Sequence, residues 1–209
     1  MSVLVLHADA DCIVVDKPAG LLSVPGRGAH LQDCMAMRVQ AMFSDALVVH
    51  RLDMATSGLM LFARGVQAQR DLSIAFAKRE VHKRYIAIVQ GRVTPDHGEI
   101  DLPLLADWPN RPRQKVDLRG GKPSLTRYRV TDFDAEHART RLELEPVTGR
   151  AHQLRVHLLA IGHPILGDAL YAPPDAIVGA DRLLLHAQSL RFAHPVSGEP
   201  MQFESAPPF

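Results

Sequence analysis

Between residues 50 and 58 the chain reads His50-Arg51-Leu52-Asp53-Met54-Ala55-Thr56-Ser57-Gly58, and six of these nine residues are polar or glycine. A carboxylate, a guanidinium, an imidazole and two hydroxyls gathered in one loop between apolar runs can support nucleophilic or acid–base chemistry. A carboxylate does such work only when it is ionised in a partly dry pocket, which requires a cation nearby. The same composition fits a surface turn with a solvated aspartate, and the segment alone leaves both readings open.

Other constellations have plainer readings. His152 and His157 are five residues apart and do not share one helix face as a metal pair would, and His186 lies in an apolar stretch that suits a satisfied core histidine. No metal site is expected. Thr56-Ser57-Gly58 lacks the glycine–serine elbow of a serine hydrolase and has no identifiable base. Asp168 could pair with Asp53 as a glycosidase-like acid and base, but Gly167-Asp168 reads more naturally as a turn whose carboxylate bonds the backbone.

The elements that must position these residues follow from periodicity. Val3 to Leu6 and Ile13 to Val15 bracket Asp9-Ala10-Asp11 and predict a hairpin, and Leu59 to Phe62 suits a buried strand. Leu31 to Phe43 has helical spacing, and Ala68, Leu72, Ala75 and Phe76 mark a second amphipathic helix after Gly65. Lys83 to Gln90 and Arg139 to Glu145 alternate as strands, the latter with Thr140, Leu142 and Leu144 toward a core. A third helix carries Leu154, Leu158 and Ile161, starting after Thr148-Gly149 and stopping at Gly162. Leu183 to His186, Leu190 to Ala193 and Met201 to Glu204 read as three strands. Strands with occasional helices predict an α+β fold, one domain over residues 1–209 with a largely antiparallel mixed sheet flanked by helices and loops.

Composition bounds the class. The 209 residues are 46% apolar, enough for a substantial core, and the net charge is +1. Two cysteines, Cys12 and Cys34, outside any CxxC pair, make a disulfide framework improbable and point to the cytoplasm. No stretch approaches a membrane span, so no membrane association is expected. Charge is unevenly placed: from Trp108 to Arg129 run Arg111, Arg113, Lys115, Arg119, Lys122, Arg127 and Arg129 against only Asp117, with Lys78, Arg79, Lys83 and Arg84 as a second cluster. Basic runs are commonly solvated faces, yet two beside a polar loop suit a groove that tracks a nucleic-acid backbone.

The polar loop, continued through Leu59-Met60-Leu61, resembles the signature of the RluA-type pseudouridine synthases. Lys83-Arg84-Tyr85 is similar to the family's second motif, and Thr148 to Leu158 with Gly162 to Asp168 to its third. Lys17-Pro18-Ala19-Gly20-Leu21 and Leu183-Leu184-Leu185-His186-Ala187 match its N-terminal and C-terminal elements, so the likeness spans nearly the whole chain in the expected order. The resemblance implies a single catalytic domain that isomerises uridine in RNA to pseudouridine without a cofactor. It gives Asp53 as the catalytic carboxylate, Tyr85 against the uracil and Arg155 as the carboxylate's cationic partner. Substrate contacts are implied for Arg51, His50, Thr56, Lys83, Arg150 and Leu184, with Arg51 stacking where the target base leaves its helix. Arg111, Arg113, Lys115 and Arg127 are expected on the RNA backbone.

Asp107-Trp108-Pro109-Asn110-Arg111-Pro112 resembles the branch acting on both large-subunit (23S) ribosomal RNA and a tRNA anticodon stem-loop. Lys17 comes too early for the accessory S4 domain of several relatives, so the catalytic domain is expected to bind RNA alone, as a monomer without an obligate protein partner. Two other classes remain: an inactive RNA-binding protein on the same fold, for which Asp53→Asn would change nothing, and a hydrolase, which would release a cleaved product.

Overall fold

The computed structural model describes residues 3–209. Along the chain the elements are β1 (Leu4–Ala8), β2 (Cys12–Lys17), α1 (Met35–Gln40), β3 (Ala46–Val48), β4 (Ser57–Arg64), α2 (Gly65–Lys78), β5 (His82–Gln90), β6 (His97–Asp101), β7 (Leu104–Ala106), β8 (Gln114–Val116), β9 (Leu125–Asp134), β10 (Arg139–Pro146), α3 (Gln153–Ala160), α4 (Pro174–Val178), β11 (Leu185–Ala193) and β12 (Pro200–Glu204). Short 3-10 turns lie at Ala29–Leu31 and Trp108–Asn110. The chain forms two compact units, one up to Lys83 with Ala187–Pro208, the other Arg84–His186 with Phe209.

In the first unit the hairpin β1–β2 continues antiparallel into β4, with Cys12 opposite Ala63 and Lys17 opposite Gly58. β3 pairs β4 antiparallel, β11 lies beside β4, and β12 closes an antiparallel hairpin on β11. β2 and β4 are covered on both faces, which is why their sequences are nearly continuous apolar runs rather than alternating ones. α2 sets Ala68 and Leu72 against Leu59, Leu61 and Ala63 of β4, with Cys12, Val14, Leu190 and Phe192 completing that core. Gly58 has φ +111°, and a Cβ there would stand 2.3 Å from the Ala187 carbonyl oxygen, so the β4–β11 approach demands glycine.

The second unit is an antiparallel run β5–β10–β9–β6, with Tyr85 opposite Leu144 and His97 opposite Arg129. β10 buries Thr140, Leu142 and Leu144 as its alternation predicts. α3 buries six consecutive residues, Gln153 to Leu158. β7 and β8 form a separate two-stranded arm whose tip holds Trp108, Arg111 and Arg113.

The α+β class and the antiparallel pairings are as expected, but three elements differ. The helix expected over Leu31 to Phe43 is confined to Met35–Gln40. Residues before it are drawn elsewhere: Cys34 bridges Leu22, and the Met35 and Ala36 amides bond the carbonyls of Leu22 and Ser23. The Cys34 thiol caps the short helix by accepting the Met37 amide. The strands expected at Leu183 to His186 and Leu190 to Ala193 are one strand, β11, because the polar Gln188 and Ser189 are paired with Ser205 and Glu204. α3 begins at Gln153, several residues after Gly149, since the Gln153 side chain bonds Thr148 and the Arg150 amide and ties down the approach.

Candidate active site

Asp53 lies in the link between β3 and β4, half-buried, at the head of a turn closed by the Thr56 amide on the Asp53 carbonyl at 3.1 Å. Both neighbours are fixed through their backbones. The Ser23 hydroxyl accepts the Leu52 amide at 3.0 Å and donates to the Leu52 carbonyl at 2.7 Å. On the other side the Met54 carbonyl accepts the Gly20 amide at 2.8 Å and the Lys17 ammonium at 3.1 Å. Lys17 is fully buried, and its ammonium also donates to the carbonyls of Pro18 and Leu21. A buried ammonium surrounded by carbonyls is a fixed clamp, so the Lys17 to Leu21 turn and the Asp53 loop are one rigid object.

Around that loop, Arg51 is exposed, while Thr56 is buried at 2% exposure. His50, expected at the substrate, also has contacts within the scaffold. Its Nε2 accepts the Leu61 amide at 2.9 Å, and its ring stacks on Phe76 of α2 with centroids 4.7 Å apart. Burial, aided by the Lys83 charge, holds its pKa down to about 3, so the ring is neutral with its proton on Nδ1. Lys83 stands with its ammonium 5.7 Å from the Phe76 ring centroid, and burial lowers its pKa as well.

In the second unit Tyr85 sits half-buried on β5. Arg155, on α3, is 4% exposed, and its Nε and Nη2 bond the two oxygens of Asp168 at 2.7 and 2.6 Å. Asp168 therefore does more than shape its turn, although it also accepts the amides of Leu170 and Tyr171. The Tyr171 ring lies 5.0 Å from the Arg155 guanidinium carbon, and its hydroxyl accepts the Gln114 amide at 2.8 Å and bonds His152 Nδ1 at 2.6 Å. Leu184 is buried, its amide on the Leu166 carbonyl and its carbonyl accepting the Ile88 amide. Arg150 is exposed and reaches the Pro123 carbonyl.

The basic residues divide into two kinds. Arg111, Arg113 and Lys115 are exposed on the arm, where Arg111 stacks 4.4 Å from the Trp108 ring and Arg113 faces Tyr171 at 5.9 Å. Arg127 instead pairs with Glu99 at 2.8 Å and Glu145 at 3.8 Å, and Arg129 with Glu143 at 3.2 Å. Cross-strand carboxylates from β6 and β10 thus offset a charge run that looked almost unopposed in the sequence. The roles of Lys17, Ser23 and Tyr171 were also missed. Lys17 was visible as the charged end of a buried strand, Tyr171 only as a tyrosine soon after Gly167-Asp168, and Ser23 gave no signal.

Two groups of metal-type donors meet among the described residues, His7 with Asp9 and Cys12, and Asp9 with Asp11 and His194. Their chemistry favours a hairpin cap. Asp9 accepts the amides of Asp11 and Cys12 and the His7 ring; burial opposes its charge, yet these bonds hold its carboxyl below the usual range. His194 Nδ1 accepts the amides of Val196 and Ser197, which leaves the proton on Nε2, 3.3 Å from Asp9 and 3.8 Å from Asp11. Burial pushes the Cys12 thiol up to about 12, so it is not a thiolate.

The RNA pseudouridylate synthase family model matches residues 11–160. The chain is 53% identical over 201 residues to a dual-specificity RNA pseudouridine synthase RluA of Yersinia pestis, covering 96% of this chain and 97% of that protein. It is 49% identical over 206 residues to the protein of that name in Shigella flexneri, covering 99% and 94%. Among solved structures, human RNA Pseudouridylate Synthase Domain Containing 1 superposes with a TM-score of 0.82 at 27% identity, over 100% of this chain and 84% of that one. A pinned carboxylate loop, a neutral scaffold histidine and a bidentate buried arginine are thus held in a chain that belongs to the RNA pseudouridylate synthase family, in its RluA-type branch.

Proposed function

We propose that this enzyme acts on both 23S ribosomal RNA and a tRNA anticodon stem-loop, in the cytoplasm and as a monomer, with Asp53 as its catalytic carboxylate. Dual specificity rests on the names of the relatives and on the Asp107 to Pro112 segment at the tip of the arm. The reaction breaks the bond from C1′ to N1, rotates the uracil, joins C1′ to C5 and releases the C5 proton as N1 regains one. Product and substrate are isomers, so neither an oxidant nor water is consumed.

In this reading Asp53 acts as nucleophile or base, and Arg155 supplies the positive charge that keeps it ionised. Tyr85 offers its ring to the detached uracil, and its hydroxyl can pass a proton. Arg51, exposed beside Asp53, stacks in the gap left by the flipped base, an extraction that costs roughly a few kcal/mol. Lys83, Thr56, Arg150 and Leu184 shape the surroundings, and Arg111, Arg113, Lys115 and Arg127 meet phosphates. The observation that carries the reading is the bracing of Asp53 on both sides by Ser23, Gly20 and Lys17: a surface turn with a solvated aspartate has no use for a buried ammonium clamp.

The test is incubation of purified enzyme with ribosomal and transfer RNA lacking the modification, followed by chemical mapping. New pseudouridines are expected in both RNAs, and Asp53→Asn is expected to lower the rate at least about 10³-fold with RNA binding retained. An Asp53→Asn enzyme that still makes pseudouridine would remove Asp53 from the chemistry, and product in only one RNA would remove the dual specificity.

A further inference from the structure

Arg155 is held more strictly than a charge alone requires. A buried guanidinium needs a compensating anion, and one contact at any angle would supply it. Here Asp168 engages it through two parallel bonds of 2.7 and 2.6 Å, which fixes the guanidinium plane and its rotation within that plane. The Tyr171 ring, 5.0 Å from the guanidinium carbon, adds a contact to its face. Asp168 is itself immobile, 1% exposed and bonded to the amides of Leu170 and Tyr171. The preceding Gly167 has φ +72°, and a Cβ there would stand 1.9 Å from the Arg182 carbonyl oxygen, so the turn is pressed against the chain and cannot drift. The Tyr171 hydroxyl then ties the turn to the Gln114 amide of β8 and to His152.

Stability does not account for this arrangement, because a buried ion pair is commonly matched or bettered by well-packed apolar residues. Orientation does. We propose that Asp168, with the turn running through Tyr171, is a positioning residue for the reaction: it touches no RNA and acts only by aiming Arg155. The inference rests on the reading above, in which Arg155 keeps the catalytic carboxylate charged.

The test is a double-mutant cycle read by single-turnover kinetics with enzyme in saturating excess over RNA, with Asp168→Asn, Arg155→Met and the two combined. Urea unfolding reads the fold, whereas the rate constant at saturating enzyme reports the chemical step, so a merely structural role moves the first and not the second. Asparagine keeps the shape but turns one acceptor into a donor facing the guanidinium. We expect its rate constant to fall about 10- to 100-fold, the scale of a small misplacement of a catalytic group, with RNA affinity unchanged. The double variant, which buries no unpaired charge, should be no slower than Arg155→Met. If Asp168→Asn does not fold, Asp168→Glu carries the same test, keeping the charge while displacing both oxygens by a methylene. A wild-type rate constant for the Asp168 variant beside a slow Arg155→Met overturns this inference alone, as do losses that multiply in the double variant. A wild-type rate for Arg155→Met overturns the underlying reading of Arg155 too.

Discussion

Lys17 shows how a residue distant from the reaction in sequence can set its geometry. Its ammonium is fully buried and divides its bonds between its own turn and the Met54 carbonyl, directly after Asp53. Lys17→Met keeps the apolar stem and removes the donors, so the Pro18 and Leu21 carbonyls lose the ammonium and the Met54 carbonyl keeps only the Gly20 amide. We expect a loss of about 3 kcal/mol in urea unfolding, since orphaned buried acceptors cost about 1–3 kcal/mol each and the loop can relax toward some of them. The single-turnover rate constant should fall about 10-fold or more as the Asp53 loop loosens. A destabilised variant with a wild-type rate constant would make the clamp structural only. The sequence made the Asp53 loop legible because its residue types are concentrated in nine positions. It did not reveal the clamp, since neither composition nor spacing says which carbonyls a lysine will meet 37 residues away.

Elements were legible where one strand or helix answered to its own periodicity. β10 alternates because only one of its faces is buried, and α2 repeats because it lies on β4. The failures share another cause, competition from a partner outside the window. Cys34 left the expected helix for Leu22, and Gln188 and Ser189 stayed in β11 because Glu204, the end of β12, and Ser205 after it supply their partners. β6 and β9 were not predicted as strands, and with them went the carboxylates that neutralise the basic run. This bears on RNA binding. Each phosphate contact steepens the salt dependence of affinity, with a slope of about 0.7–0.9 per contact. Arg111→Ala, on the arm and facing a tryptophan ring, is expected to flatten the slope by roughly that amount. Arg127→Ala should flatten it less, because Glu99 and Glu145 already compete for that guanidinium. Filter-binding titrations from low to moderate salt decide, and equal flattening by both variants would mean that the β9 ion pairs open when RNA binds.

At the scale of the whole molecule, two histidines make the fold sensitive to mild acid. His50 is neutral as it accepts the Leu61 amide and stacks on Phe76, with a pKa held at about 3 by burial and by Lys83. His157 is fully buried between the Thr126 hydroxyl and the Leu102 carbonyl, and burial lowers its pKa although that carbonyl and Asp101 pull the other way. Unfolding exposes both rings to water, where they titrate near 6.5. Below that pH the unfolded chain takes up protons that the folded one refuses, so stability is complete above about 6.5 and declines as pH falls, toward 3 for His50. The slope is at most about 1.4 kcal/mol per pH unit for each ring. Between pH 6.5 and 5 the ordinary carboxylates are still ionised in both states, which isolates the histidine effect. Urea unfolding across that window should lose stability in the wild type and lose less per pH unit in His50→Gln and in His157→Gln, whose amides can keep an acceptor at the vacated nitrogen. A slope unchanged in both variants would mean that neither ring is held neutral. Nothing in the sequence separates these two from the other nine of the eleven histidines, because the distinction lies in burial and in what each ring nitrogen faces.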